Sequence, residues 1–239
     1  MNVMERLQRT MPSHVKPMSR EDIDAYGRRQ VAEFHRKNRE DYRNSVAQNL
    51  LGRSGVRKIH QQCSFENYQV HGAAQEKAVA NARAWLSRFY ADDMCCFVFA
   101  GSTGTGKNHL ASAIANDLNH NGRSSVLMTV NELMIRLRDT YRADSPVSER
   151  ELIERLSSVD LLILDEVGVQ RGNDNEALTL NTIVDNRSAD GLPTGILTNL
   201  NYSELVKQLG ERVMDRLKSN QAHWVEFNWP SYRSQGSAA

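Results

Sequence analysis

Residues 100–114, "AGSTGTGKNHLASAI", place Gly101, Gly104 and Gly106 ahead of Lys107. The spacing follows the phosphate-binding pattern G-x-x-x-x-G-K-[ST] up to its last position, where Asn108 stands in place of a hydroxyl. Glycines let such a loop curl and bring backbone N–H groups close to phosphate oxygens. The helix expected to follow adds unpaired N–H donors and a partial positive charge. The expected nucleotide contacts are Gly101, Ser102, Thr103 and Gly104 in the first half of the loop. Thr105, Gly106, Lys107 and Asn108 complete it, with Lys107 reaching the β- and γ-phosphates. Residue type alone leaves Asn108 three meanings: a dead site, a false match or a working variant. Its amide carbonyl is a neutral hard oxygen of the kind magnesium accepts, directly or through water. Its NH2 group could instead bond a phosphate oxygen.

Further along, "LLILDE" is an apolar run that ends in two carboxylates. Asp165 would emerge at the C-terminal edge of a central strand, where open α/β sheets bind ligands, and hold magnesium there. Glu166 beside it would orient or deprotonate an attacking water. Asn199 ends "GILTN" and could lie between that water and the γ-phosphate, with Thr198 as the alternative. Arg212 and Arg216 in "LGERVMDRL" lie one helical turn apart. A guanidinium from there could meet the charge developing on a transferred phosphoryl across a subunit boundary. By spacing alone, a surface salt bridge is the plainer use of both.

These residues need a frame, and the chain from about residue 73 alternates between helical and strand patterns. A helix runs through Ala78, Ala82, Leu86 and Phe89, and "CCFVFA" is a buried strand. Lys107 to His120 reads as a helix and "SSVLMTV" as a strand. "NELMIRLRDTYR" reads as an amphipathic helix capped by Asn131, and Glu149 to Leu156 as another. "VDLLILDE" is a strand, Glu176 to Arg187 a helix, and "GILTN" and "HWVEF" the last strands. Strands alternating with helices imply an α/β fold with a parallel sheet covered on both faces. Before this, "VMERLQRTM" has helical spacing up to Pro12, and Ser19 with Asp22 forms a capping-box pattern ahead of a charged helix. That helix has few apolar residues and needs a partner surface. "LGRSGVRK" reads as a linker and "SQGSAA" as a disordered end. The expected division is a helical, basic region at 1–54, a nucleotide-binding domain at 55–233 and a tail at 234–239.

Composition narrows the class. Of 239 residues, 40% are hydrophobic and 25% charged, as in ordinary globular domains. No run approaches the ~20 apolar residues of a membrane span. The charged N-terminus lacks the apolar core of a secretory signal. Three cysteines cannot complete a disulfide framework, so a reducing cytoplasm is expected. Neither a CxxC pair nor an HExxH signature points to zinc. The net charge of +1 hides an asymmetry: residues 1–60 hold 13 Lys and Arg against 7 Asp and Glu, and the rest 17 against 22. A basic arm of this kind suits a partner or nucleic acid, or serves only as a solvated surface.

Taken together, these residues resemble the AAA+ ATPases, and in particular the DnaC-type loaders of bacterial replicative helicases. The likeness lies in "SGVRKIHQQCSFENY", "GTGKNHLA", "VDLLILDEVGVQ", "PTGILTNLN", "LGERVMDR" and "FNWPSYR". In that family an Asn after the loop lysine is usual. The resemblance implies an AAA+ P-loop domain with a five-stranded parallel sheet in the order 5-1-4-3-2. It implies ATP and Mg2+ as cofactors, Arg216 as an arginine finger acting on a neighbour's ATP, and Arg233 as a second sensor. It implies slow hydrolysis used as a switch, and self-association into a ring or spiral on the helicase. The N-terminal region would grip the helicase hexamer, and Arg138, Tyr141 and Arg142 would meet single-stranded DNA. Two rivals are an ATPase that assists a transposase and a nucleotide-gated binding protein with little hydrolysis. No separate helical lid is discernible after residue 219.

Overall fold

A computed structural model describes residues 18–51, 56, 58–168, 174–219 and 222–232. The expected first helix "VMERLQRTM", most of the linker and the tail lie outside these residues. Helix α1 (Arg20–Leu51) starts at the expected capping box. Ser19 Oγ accepts from the Asp22 backbone N–H at 3.1 Å, and Asp22 Oδ2 accepts from the Ser19 backbone N–H at 3.3 Å. The chain divides into two units between Arg39 and Glu40, inside α1. In the first unit Ile23, Tyr26, Val31 and Phe34 are exposed.

The second unit begins with the last turns of α1. Arg43 donates to Asp160 at 2.7 Å, Asn44 donates to the Gly122 carbonyl at 3.0 Å, and Val46 enters the core. A 3-10 turn (Lys58–His60) and α2 (Ala73–Tyr90) precede strand β1 (Phe97–Gly101). Then come α3 (Lys107–His120), β2 (Ser125–Thr129), α4 (Val130–Asp139), α5 (Glu149–Ser158) and β3 (Leu161–Val167). The chain continues through α6 (Asp174–Ala189), β4 (Thr194–Thr198), α7 (Tyr202–Leu209), α8 (Glu211–Ser219) and β5 (His223–Phe227).

All strand pairs are parallel and the order is β2-β3-β4-β1-β5, as the resemblance implied. The reason lies in alternation, since successive strand residues point to opposite faces. Val98, Leu162, Leu164 and Ile196 feed one core, against α4 to α8. Phe97, Phe99, Leu161, Ile163 and Leu197 feed the other, against α2 and α3. Because β1 leads through α3 to the distant edge strand β2, the loops after β1, β3 and β4 converge on one sheet edge. Arg187 of α6, fully buried, ties this sheet to its helices. It donates to the carbonyls of Leu156, Val159 and Pro193 at 3.0, 2.8 and 2.5 Å, and burial pulls its pKa down to about 9.

Three local expectations are corrected. Cys95 and Cys96 precede β1 rather than opening it; the Cys95 carbonyl is taken by the Trp85 indole N–H at 2.6 Å and that of Cys96 by the His223 N–H at 3.0 Å. The cap of α4 is Thr129, not Asn131. The chain passes straight from β2 into the helix, and Thr129, still extended, accepts from the Glu132 backbone N–H at 3.1 Å. Helix α4 ends at Asp139, so Tyr141 and Arg142 lie in the turn beyond it. There Thr140 Oγ1 donates to the Leu137 carbonyl at 2.6 Å, and Tyr141 N–H to that of Arg138 at 3.1 Å. Helix α7, which had no expectation attached, carries a full capping box between Asn201 and Glu204.

Candidate nucleotide-binding site

The loop after β1 takes the shape its glycines permit. Gly104 and Gly106 have φ of 79° and 95°, left-handed values that side chains rarely adopt. A Cβ on Gly104 would fall 2.1 Å from Ser231 Oγ, and one on Gly106 would fall 2.7 Å from the Tyr68 ring. The loop leads into the N-terminus of α3, whose first residue is Lys107.

Lys107 is largely buried, and its ammonium is saturated by oxygen. Nζ donates to the Gly101 and Ser102 carbonyls at 2.5 and 2.8 Å and to Asn199 Oδ1 at 3.0 Å. Burial lowers its pKa, while the charge of Asp165 works in the opposite direction. Asn199 also donates to Thr103 Oγ1 at 3.3 Å, so one amide bridges both ends of the loop. Thr198, the alternative, turns away and donates to the Val167 carbonyl at 2.7 Å. Asn199 therefore faces the loop and Thr198 does not.

Asp165 and Glu166 pose a geometric problem, since consecutive strand residues ought to face opposite ways. Strand β3 solves it with a register shift between Leu164 and Val167 in its pairing with β4. Glu166 adopts φ of 59° there, in the left-handed region, and its N–H donates to Asp165 Oδ1 at 2.8 Å. Both carboxylates consequently line the same cavity. The Asn108 amide N–H donates to Asp165 Oδ2 in a short contact. An ionised carboxylate only accepts, so the amide must present its nitrogen to it. Ser112 Oγ donates to the amide's oxygen at 3.4 Å, in agreement with that orientation.

The cavity measures about 480 Å³, within the usual range of small-molecule sites. Its walls include all of the loop from Thr103 to Asn108, both carboxylates and Asn199. Residues with no expectation attached close its other side. The Tyr68 hydroxyl and the Trp229 indole N–H both donate to the Thr105 carbonyl, at 3.2 and 2.9 Å. Burial pushes the Tyr68 pKa up to about 12. Tyr232 donates its N–H to the Gly104 carbonyl at 2.9 Å, and its hydroxyl to Gln69, 163 residues away in sequence, at 2.8 Å. His109 packs edge-on against Tyr68. No local pattern announces these groups. The only signal was that "SFENY" and "FNWPSYR" belong to the stretches that carry the resemblance.

Not every expected residue comes to this cavity. Arg216 lies on α8, half-exposed, and pairs with Asp185. Arg233 lies outside the described residues. Arg138 lies in the last turn of α4 with Nε donating to the Met134 carbonyl at 3.3 Å. Tyr141 is 67% exposed, and Arg142 pairs with Asp144 at 3.2 Å. Among the described residues no cluster of His, Cys, Asp and Glu could hold a metal by itself, and all three cysteines are free thiols.

A glycine-lined helix N-terminus, a buried lysine and a carboxylate pair on one sheet edge describe a nucleotide site, and relatives agree. Residues 33–239 match the IstB-like ATP binding protein family. The replicative helicase loader DnaC of Escherichia coli strain K12 is 44% identical over 236 residues, spanning 98% of this chain and 96% of that one. The chain belongs to the DnaC family of AAA+ ATP-binding proteins. A second member, the replicative helicase loader DnaC of Buchnera aphidicola subsp. Schizaphis graminum, is 40% identical over 231 residues, spanning 96% of this chain and 94% of its own. The crystal structure of the DnaC helicase loader superposes with a TM-score of 0.62 at 21% identity, over 71% of this chain and 99% of that one. That likeness speaks for the fold. Membership supports nucleotide binding by this chain.

Proposed function

We propose that the protein binds a hexameric replicative helicase and loads it onto single-stranded DNA, with ATP hydrolysis as a slow switch. The observation that carries this is the length of the likeness to DnaC, which takes in 98% of the chain and so includes the basic N-terminal region. The match to the IstB-like family, by contrast, begins only at residue 33 and leaves out the first part of that region. A pure nucleotide-gated binder would have no use for Glu166 at the mouth of the cavity. Among the described residues no helix is long and apolar enough to cross a membrane. The same proposal has the protein act in the cytoplasm and self-associate in a ring or spiral on the helicase.

Within the site, Lys107 exchanges its carbonyl partners for phosphate oxygens, and the N-terminus of α3 supplies further donors. Asp165 and Asn108 fit a hard cation, because a carboxylate and an amide already meet there. Magnesium, when bound, neutralises phosphate charge. As oriented, Asn108 acts on the metal through Asp165, holding the carboxylate in place. Glu166 takes a proton from the attacking water, and Asn199 positions that water. Arg216 acts on the ATP of a neighbouring copy, and Arg233 serves as the second sensor of its own. The turn with Tyr141 and Arg142, beside Arg138, meets single-stranded DNA, an exposed aromatic between two cations being suited to base stacking.

Loss of the Asn108 amide should loosen Asp165. Asn108→Ala is expected to raise the magnesium concentration needed for half-maximal hydrolysis about tenfold, the scale on which groups that orient a metal ligand act. Asn108→Thr should retain ATP binding. ATPase titrated against magnesium decides this, and wild-type dependence in the Ala variant would remove Asn108 from the metal site.

The helicase grip can be tested by truncation, but not at residue 54. Arg43, Asn44 and Val46 belong to the ATPase unit, so a cut there would damage it. Deleting residues 1–39 should abolish co-purification with a bacterial replicative helicase while ATP binding persists. Undiminished capture by the shortened protein would move the grip onto the ATPase unit.

A further inference from the structure

Arg212 and Arg216 share one carboxylate. Asp185 of α6 accepts from Arg212 Nη2 at 2.6 Å through Oδ2 and from Arg216 Nε at 3.4 Å through Oδ1. The Asp185 side chain is 24% exposed, whereas those of the arginines are 72% and 49% exposed. The acid thus lies at the base of the cluster and the cations stand out from it. Its place is fixed by packing: Leu180, Ile183 and Val184 of α6 share a core with Val213, Met214 and Leu217 of α8. The helix that carries the acid and the helix that carries the arginines cannot drift apart without opening that core.

Exposed ion pairs contribute little to folding, so stability does not account for this arrangement. Presentation does. A free arginine side chain must give up considerable rotamer freedom when it docks on a partner. A carboxylate already in contact with Nε restricts the guanidinium, and preorganisation of this kind reduces the loss. We propose that Asp185 is the positioning residue for Arg216. It aims the guanidinium at the nucleotide of a neighbouring copy, while Arg212, on the other oxygen, keeps the carboxylate turned toward that task. This rests on Arg216 acting across the subunit boundary.

The test is steady-state ATPase of the full-length protein in complex with a replicative helicase, for Asp185→Ala, Asp185→Glu, Arg216→Ala and the double variant Asp185→Ala/Arg216→Ala. Asp185→Ala is expected to lower kcat about tenfold, the scale at which an orienting carboxylate acts on the group it holds. KM for ATP and the thermal midpoint should stay at wild-type values, and Asp185→Glu should recover most of the rate. The double variant should be no slower than Arg216→Ala, since both changes disable one device. A further drop in the double variant, or a loss of ATP affinity and Tm in step with kcat, would show a structural role and overturn the proposal. So would an unaffected Asp185→Ala beside an inactive Arg216→Ala. Full turnover in Arg216→Ala would remove the trans-acting arginine itself, and Asp185 with it.

Discussion

Glu166→Gln is expected to stop ATP turnover while ATP affinity stays near that of the wild type. Glutamine fills the same space at the same backbone position but cannot accept a proton. A general base typically contributes about 10²–10⁴-fold to rate, so kcat should fall by that factor. Affinity should survive because the groups proposed to hold phosphate are elsewhere, in the loop, in the start of α3 and in Lys107. The local backbone adds a control. Glu166 sits at φ of 59°, where any side chain other than glycine is strained, and glutamine shares that strain with glutamate. A change in thermal midpoint is therefore not expected. Stopped hydrolysis with normal fluorescent-nucleotide binding is the expected pair of results, and unchanged steady-state ATPase would remove Glu166 from the chemistry.

Arg216→Ala should be as damaging, for a different reason. Arginine fingers supplied in trans contribute about 10³-fold or more to phosphoryl transfer. Arg216 is not among the residues that line its own chain's cavity, and its side chain is half-exposed beside Asp185 of α6. The variant should bind ATP normally and hydrolyse almost none in the helicase complex. Mixing it with Lys107→Ala subunits should restore part of the rate. One partner then supplies the intact nucleotide site and the other the arginine. A chain whose Arg216 acted on its own nucleotide would show no recovery at any ratio.

How much of this was legible in residue order depends on how local each feature is. The phosphate loop and the apolar run before Asp165 are continuous stretches, so spacing and residue type were enough to find them. The bounds of α3 and β5 follow from the same kind of pattern, as does the Ser19 capping box. Thr129 shows the limit. Several side chains near a helix start can cap it, and only the backbone angles after β2 decide which one does. Tyr141 shows another. Apolar spacing in "NELMIRLRDTYR" could be extended by a turn, but nothing in it says where hydrogen bonding stops.

Residue order alone determines that this protein has a parallel α/β domain with a phosphate loop, a carboxylate-ended strand and a basic arm. These are statements about neighbours along the chain, whose geometry is set by helical and strand periodicity. Three matters were decided only in the folded molecule. The bulge at Asp165 and Glu166 depends on how β3 pairs with β4, and it turns two adjacent acids toward one cavity. The wall formed by Tyr68, Trp229 and Tyr232 exists because segments from both ends of the domain meet at the Thr105 and Gly104 carbonyls. The hold of Asp185 on Arg212 and Arg216 requires α6 and α8 to share a core. Each is a contact between residues far apart in sequence. Periodicity says which face of an element is apolar, but packing alone says which other element will cover it.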